Sequence, residues 1–123
     1  MKQTSGMIIV RLALVSFSIF FGAGVAKAEE VYVKYRGSLL LDTFDCVDVS
    51  RSSFVERVCY DAQTRYMIVR LHGVYYHYCE IDSETISAFL DAPSIGEYFN
   101  AYIKGNGADG PFDCRTHQLP AYQ

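Results

Sequence analysis

Basic side chains are scarce in this sequence, with 11 Lys and Arg against 14 Asp and Glu over 123 residues. That balance counts against binding a phosphate backbone, where affinity comes largely from clustered Lys and Arg releasing counterions. The four cysteines include no Cys-x-x-Cys pair and the three histidines are scattered, so the usual zinc spacing is missing. Asp42, Asp45 and Asp48 lack the fixed ligand spacing of a calcium loop, and an acidic run of this kind is ordinarily a solvated face. Neither an internal repeat nor a long low-complexity segment is present. No metal and no cofactor is therefore expected. What remains is a globular composition, 50% hydrophobic and 20% charged, with room for one domain.

The N-terminal segment reads as an address. Lys2 and Arg11 make a positive start, Leu12 to Val25 an apolar stretch, and Ala26-Lys27-Ala28 the small-x-small pattern of a signal peptidase site. The alternatives are an uncleaved anchor or a buried core helix, but a 14-residue apolar run is short of the roughly 20 that a bilayer needs. No cysteine follows closely enough to carry a lipid. The expectation is a cleaved signal peptide over 1–28, a mature chain from near Glu29 without a stable membrane anchor, and a secreted or periplasmic location. Cleavage takes away Lys2, Arg11 and Lys27, so 11 basic residues become 8 and the net charge falls from −3 to −6. Cys46, Cys59, Cys79 and Cys114 all stay in the mature part. An even count in a small exported domain suggests a disulfide framework, and four cysteines allow three pairings that spacing alone leaves open.

Tyr66 to Ile81 reads as an antiparallel hairpin, two runs of β-branched and aromatic residues with His72-Gly73 at the bend. A tight turn there sets Leu71 opposite Val74, Val69 opposite Tyr76 and Met67 opposite Tyr78. One face then carries Met67, Val69, Leu71, Tyr76 and Tyr78, and the other, wetter face carries Ile68, Arg70, Tyr75 and His77. Ser52 to Tyr60 supplies a preceding strand. Earlier still, Glu29 to Leu41 is a strand or an extended arm, and Asp42 to Ser50 a lead-in loop. Asp82-Ser83 caps a short helix ending near Asp91, with Ile86, Phe89 and Leu90 on its apolar side. Ser94-Ile95-Gly96-Glu97 opens a second helix through Lys104, with Ile95, Tyr98, Phe99, Tyr102 and Ile103 as its stripe and Gly105 as its stop. The fold class is α+β, a small antiparallel meander of about three strands covered by two C-terminal helices. Residues 29–48 form an N-terminal arm, 49–104 the domain, and 105–123 a Gly-rich connector and tail.

Ser52-Ser53, Tyr60-Asp61, Gly73 before Tyr76-His77-Tyr78, Ile81-Asp82, Ala92, Ser94, Gly96, Phe99-Asn100 and Ile103-Lys104 stand in an order and spacing that resembles the KTSC domain. That module is found at the C-terminus of some lysyl-tRNA synthetases, and its signature is the Tyr-x-Tyr. The resemblance implies an α+β fold with C-terminal helices, and little about activity beyond an RNA-binding role suggested for the family. Here Cys59 replaces a common glycine, Asp82 a common proline, and Cys79 follows the Tyr-x-Tyr directly. Beside that resemblance, the simplest pairing is Cys59 with Cys79 inside the sheet and Cys46 with Cys114 across the termini.

Chemistry-bearing residues do not converge. Ser52-Ser53 has no nucleophile-turn motif, His72 sits at a bend, His77 alternates outward and His117 lies in the tail, so no catalytic constellation is predicted. Tyr76 and Tyr78 are a possible stacking platform for bases, but strand parity makes them core. The expected function is a non-catalytic binding or interaction module of unknown ligand, with a protein as the expected kind of partner and Tyr75, His77, Arg70 and Ile68 as its candidate binding face. The alternative is a nucleic-acid-binding module.

Overall fold

A computed structural model describes residues 29–105 and 110–122. Residues 1–28, over which a signal peptide is expected, and part of the Gly-rich connector lie outside the described residues. Six strands precede two helices: β1 (Glu30–Val33), β2 (Gly37–Leu40), β3 (Asp45–Asp48), β4 (Val55–Asp61), β5 (Tyr66–Leu71), β6 (Val74–Tyr78), α1 (Ser83–Asp91) and α2 (Ile95–Tyr98). A π-helical turn, Phe99–Ile103, continues α2, and a 3-10 turn, Cys114–Thr116, follows the connector. The strands form one curled mixed sheet in the order β2-β1-β6-β5-β4-β3, antiparallel except where β1 meets β6.

The β5–β6 hairpin has the expected register, with Leu71 opposite Val74, Val69 opposite Tyr76 and Met67 opposite Tyr78. Its two central residues are both left-handed, His72 at φ 48° and Gly73 at φ 84°, the turn whose twist matches that of paired strands. The helices start where the caps predict. Asp82 accepts from the Thr85 backbone N–H at 3.3 Å, and Ser94 Oγ from that of Glu97 at 3.2 Å. They cover one face of the sheet, burying Val58, Met67 and Val69 against Ile81, Phe89, Ile95, Phe99 and Ile103. Tyr102, expected in this stripe, is instead 62% exposed and packs beside Tyr98. An α-helix would bring position 102 round to the side of Ile95, but the chain from Phe99 to Ile103 is a π-helical turn, whose wider winding breaks that spacing.

The strand count differs from about three because the N-terminal part is folded into the sheet. Asp42 to Ser50 is no simple loop: it contains β3, whose Cys46 lies directly opposite Cys59 of β4. The arm is the β1–β2 hairpin, turned at Tyr35 with φ 71°. Val33 pairs with Tyr75, so β6 is not the edge of the sheet along its first half. This docking builds a second core on the face expected to be wet, where Val33, Leu39, Leu41 and Phe44 close over Cys59, Tyr66, Ile68 and Tyr75.

The disulfide pairing is corrected as well. Cys46 bonds Cys59 and Cys79 bonds Cys114. Cys59 and Cys79 belong to the two strand lines on either side of β5, about 10 Å apart, beyond the roughly 7 Å reach of a disulfide. Cys79 also donates its backbone N–H to Phe112 O at 2.8 Å, which lays the C-terminal segment beside the end of β6.

Candidate functional site: a tyrosine groove along β6

The residues expected to form an exposed contact face are largely interior. Ile68 is fully buried and Tyr75 is 8% exposed, while Arg70 and His77 are half-buried. Tyr75 OH accepts from Arg57 Nη1 at 3.1 Å, and the same guanidinium grips Glu29 at 2.7 and 2.9 Å. The Glu29 bond is the main reason the Arg57 guanidinium holds its proton even more firmly than usual. Arg70 Nε pairs with Glu56 at 2.9 Å and lies over the Tyr75 ring. His77 Nδ1 shares a proton with Tyr66 OH at 2.7 Å, and burial pushes the imidazole below its ordinary range. These groups hold one another and the N-terminal hairpin together.

The C-terminal tail covers part of the same face. Arg36 lies between the rings of Tyr66 and Tyr122, 5.2 and 5.3 Å from their centroids, and donates to Pro120 O at 2.6 Å. Tyr122 OH donates to Asp61 Oδ2 at 2.7 Å, where Thr43 Oγ1 also donates at 3.0 Å, and the Gln63 N–H reaches Oδ1 at 3.0 Å. Burial alone would raise the Asp61 pKa, but these hydrogen bonds outweigh it and hold the carboxyl below its usual range. No sequence pattern marks this docking, since the tail has neither strand nor helix periodicity.

The opposite parity of β6 leads to open space. Tyr76 and Tyr78 are half-buried, not sealed under the helices. They and Lys104 wall two adjoining hollows of about 610 and 510 Å³. One hollow opens toward Tyr35, His77 and Arg115, the other toward Phe54, Val74 and Asn100. Together they follow β6 from His72 at the bend to Cys114 beyond its far end, within the size range of ligand sites. Tyr78 stands edge-on to Phe99 at 5.7 Å, and burial pushes its hydroxyl up to about 12. Lys34 Nζ lies 5.4 Å from the Tyr35 ring centroid and 5.7 Å from that of Tyr76, a cation–π arrangement at the mouth.

Local structure aims these groups. The π-helical turn closes with Lys104 N–H on Phe99 O at 2.8 Å, placing Asn100 and Lys104 at the rim. Gly110 lets the returning chain pass tightly, because a Cβ there would stand 2.4 Å from Lys104 O. Asp113 is engaged by Arg115 through Nε and Nη2, at 3.0 and 2.7 Å. The groove can accept an apolar or aromatic body with an anionic group beside it. Among the described residues no group of His, Cys, Asp and Glu is arranged to hold a metal ion, and no helix is long and apolar enough to cross a membrane.

The KTSC domain family model matches residues 51–106. A crystal structure of a KTSC domain protein from Yersinia pestis is similar at 26% identity, with a TM-score of 0.47, covering 51% of this chain and 89% of that one. No curated protein matches the sequence. The matched span contains β4, β5, β6 and both helices, the elements that carry Tyr76, Tyr78 and Lys104, while β1 to β3 and the C-terminal segment lie outside it. Over residues 51–106 the chain is similar to the KTSC domain family.

Proposed function

We propose that this chain is an exported, non-catalytic binding module whose ligand occupies the groove along β6, against Tyr76 and Tyr78. The observation that carries this reading is that the signature tyrosines wall both hollows together with Lys104, while Ile68 and Tyr75 are interior. Export is supported by the pattern of residues 1–28 and by two disulfides compatible with an oxidising compartment. The non-catalytic reading is supported by the engagement of the reactive groups: all four cysteines are oxidised, His77 is bonded to Tyr66, and Ser52 Oγ accepts the Val55 N–H at 3.0 Å.

The expected partner is a protein. A nucleic acid would draw on the same tyrosines with Lys34 and Lys104, and the net charge of −6 after cleavage weighs against it. A photo-crosslinking phenylalanine analogue at position 76, expressed in the native compartment, tests the site. Adducts are expected at 76 and not at 32, an exposed position on β1. Equal adducts at both positions, or none at 76, would remove the groove from consideration, and adducts that nuclease destroys would favour the nucleic-acid reading.

A further inference from the structure

Backbone geometry on the outer side of β6 narrows what the groove takes. Lys34 N–H bonds Tyr75 O at 2.9 Å, and Cys79 N–H bonds Phe112 O at 2.8 Å. Along a strand, alternate residues turn both backbone polar groups to the same side, so His77, midway between those two, turns its N–H and C=O outward. Its partner in β5, Ile68, then forms the non-hydrogen-bonded kind of pair. Among the described residues neither His77 group has a backbone partner on that side. The β1 hairpin leaves β6 after Lys34, and the C-terminal segment joins it only at Cys79. A notch about 13 Å long separates them, room for three or four residues of extended chain. Tyr35 stands at one end of it and Cys114 at the other.

Charge is distributed in a matching way. Lys34 and Lys104 are the two lysines of residues 29–123, and both border the groove. Among the described residues neither is held in an ion pair, whereas Arg57, Arg65, Arg70 and Arg115 each have a carboxylate partner. The notch is a cationic site on an acidic domain.

We infer that the groove binds an extended acidic peptide, which fills the notch as a short added strand, hydrogen-bonding the His77 backbone and setting carboxylates against Lys34 and Lys104. Main-chain bonds then supply affinity and the tyrosine-lined hollows take alternate side chains. This inference rests on the groove being the ligand site.

The test uses the full chain with both disulfides formed and a pool of end-blocked pentapeptides X-Glu-X-Glu-X. A second pool carries Lys in place of Glu, and a third is the Glu pool with every backbone amide N-methylated. Hydrogen exchange of the His77 amide is followed by NMR. The Glu pool is expected to slow it about tenfold or more, and the other pools to leave it within about twofold. Replacing both lysines, Lys34→Gln with Lys104→Gln, is expected to abolish the protection without lowering the melting temperature. Equal protection by Glu and Lys pools, or unchanged exchange with all three, overturns the acidic-strand inference. If crosslinks at 76 persist in that case, the groove remains the site and only its ligand class is wrong; if they are absent too, both readings fall.

Discussion

Replacing Asp61 with alanine should unfold the tail side of the domain first. The carboxylate is 5% exposed and accepts from Thr43, Tyr122 and the Gln63 N–H at 2.7 to 3.0 Å. Hydrogen bonds to a charged group contribute about 1.5–3 kcal/mol each when lost with a buried partner. Thr43 and the Tyr122 hydroxyl can turn toward solvent once released, which recovers much of that, so the net cost is about 2–3 kcal/mol. For a domain of this size that corresponds to a fall in melting temperature of about 10–15 °C. The pH dependence has a fixed sign. The folded carboxyl is held below its unfolded value of 3.8, so its contribution is fully present above that value and is lost as pH falls through the folded pKa. Thermal unfolding followed by circular dichroism from pH 8 down to acid, for the parent and Asp61→Ala, should show a constant gap at neutral pH that narrows below about pH 4. A gap under about 0.5 kcal/mol at neutral pH, or one that widens in acid, would refute the reasoning.

Other consequences are equally direct. The disulfides close loops with separations of 13 and 35 residues, so replacing each pair by alanine should cost about 3 and 4 kcal/mol in chemical denaturation. Loss of the Cys79–Cys114 bridge should in addition make the chain after Phe112 sensitive to limited proteolysis, and loss of Cys46–Cys59 should not. A Cβ at Gly96 would stand 2.6 Å from Phe54 Cε1, so Gly96→Ala should lower stability by about 1–3 kcal/mol, and adding Phe54→Leu should recover part of it.

The sequence is legible wherever its signals are local. The His72-Gly73 bend fixes the hairpin register, and Asp82 and Ser94 mark both helix starts, because a turn and a cap are each decided within a few residues. What depends on distant contacts is not readable in the same way. Strands β2 and β3 have four residues each, too few for alternation to stand out, and the strand or arm read over Glu29 to Leu41 carries no sign of where β1 docks. The pairing of these strands with β6 and β4 is what turns Ile68 and Tyr75 from a wet face into a core. One signal for the disulfides is present in hindsight. Asp45-Cys46-Val47-Asp48 and Arg57-Val58-Cys59-Tyr60 are placed symmetrically about the Arg51–Phe54 loop, which puts Cys46 opposite Cys59 in any hairpin built there. The groove escapes sequence reading for a related reason. Parity places Tyr76 and Tyr78 on the helix-facing side, correctly, but whether the helices seal them depends on the π-helical turn and on the tight passage at Gly110.

The measurement that tests the central claim most directly is hydroxyl-radical footprinting of the protein in its native compartment, compared with the purified protein. Occupation of the groove predicts protection at Tyr76, Tyr78 and Tyr35, with Tyr32 and Tyr102 equally reactive in both settings. Protection confined to Tyr32 or Tyr102, or the same reactivity at every tyrosine in the two settings, would contradict it.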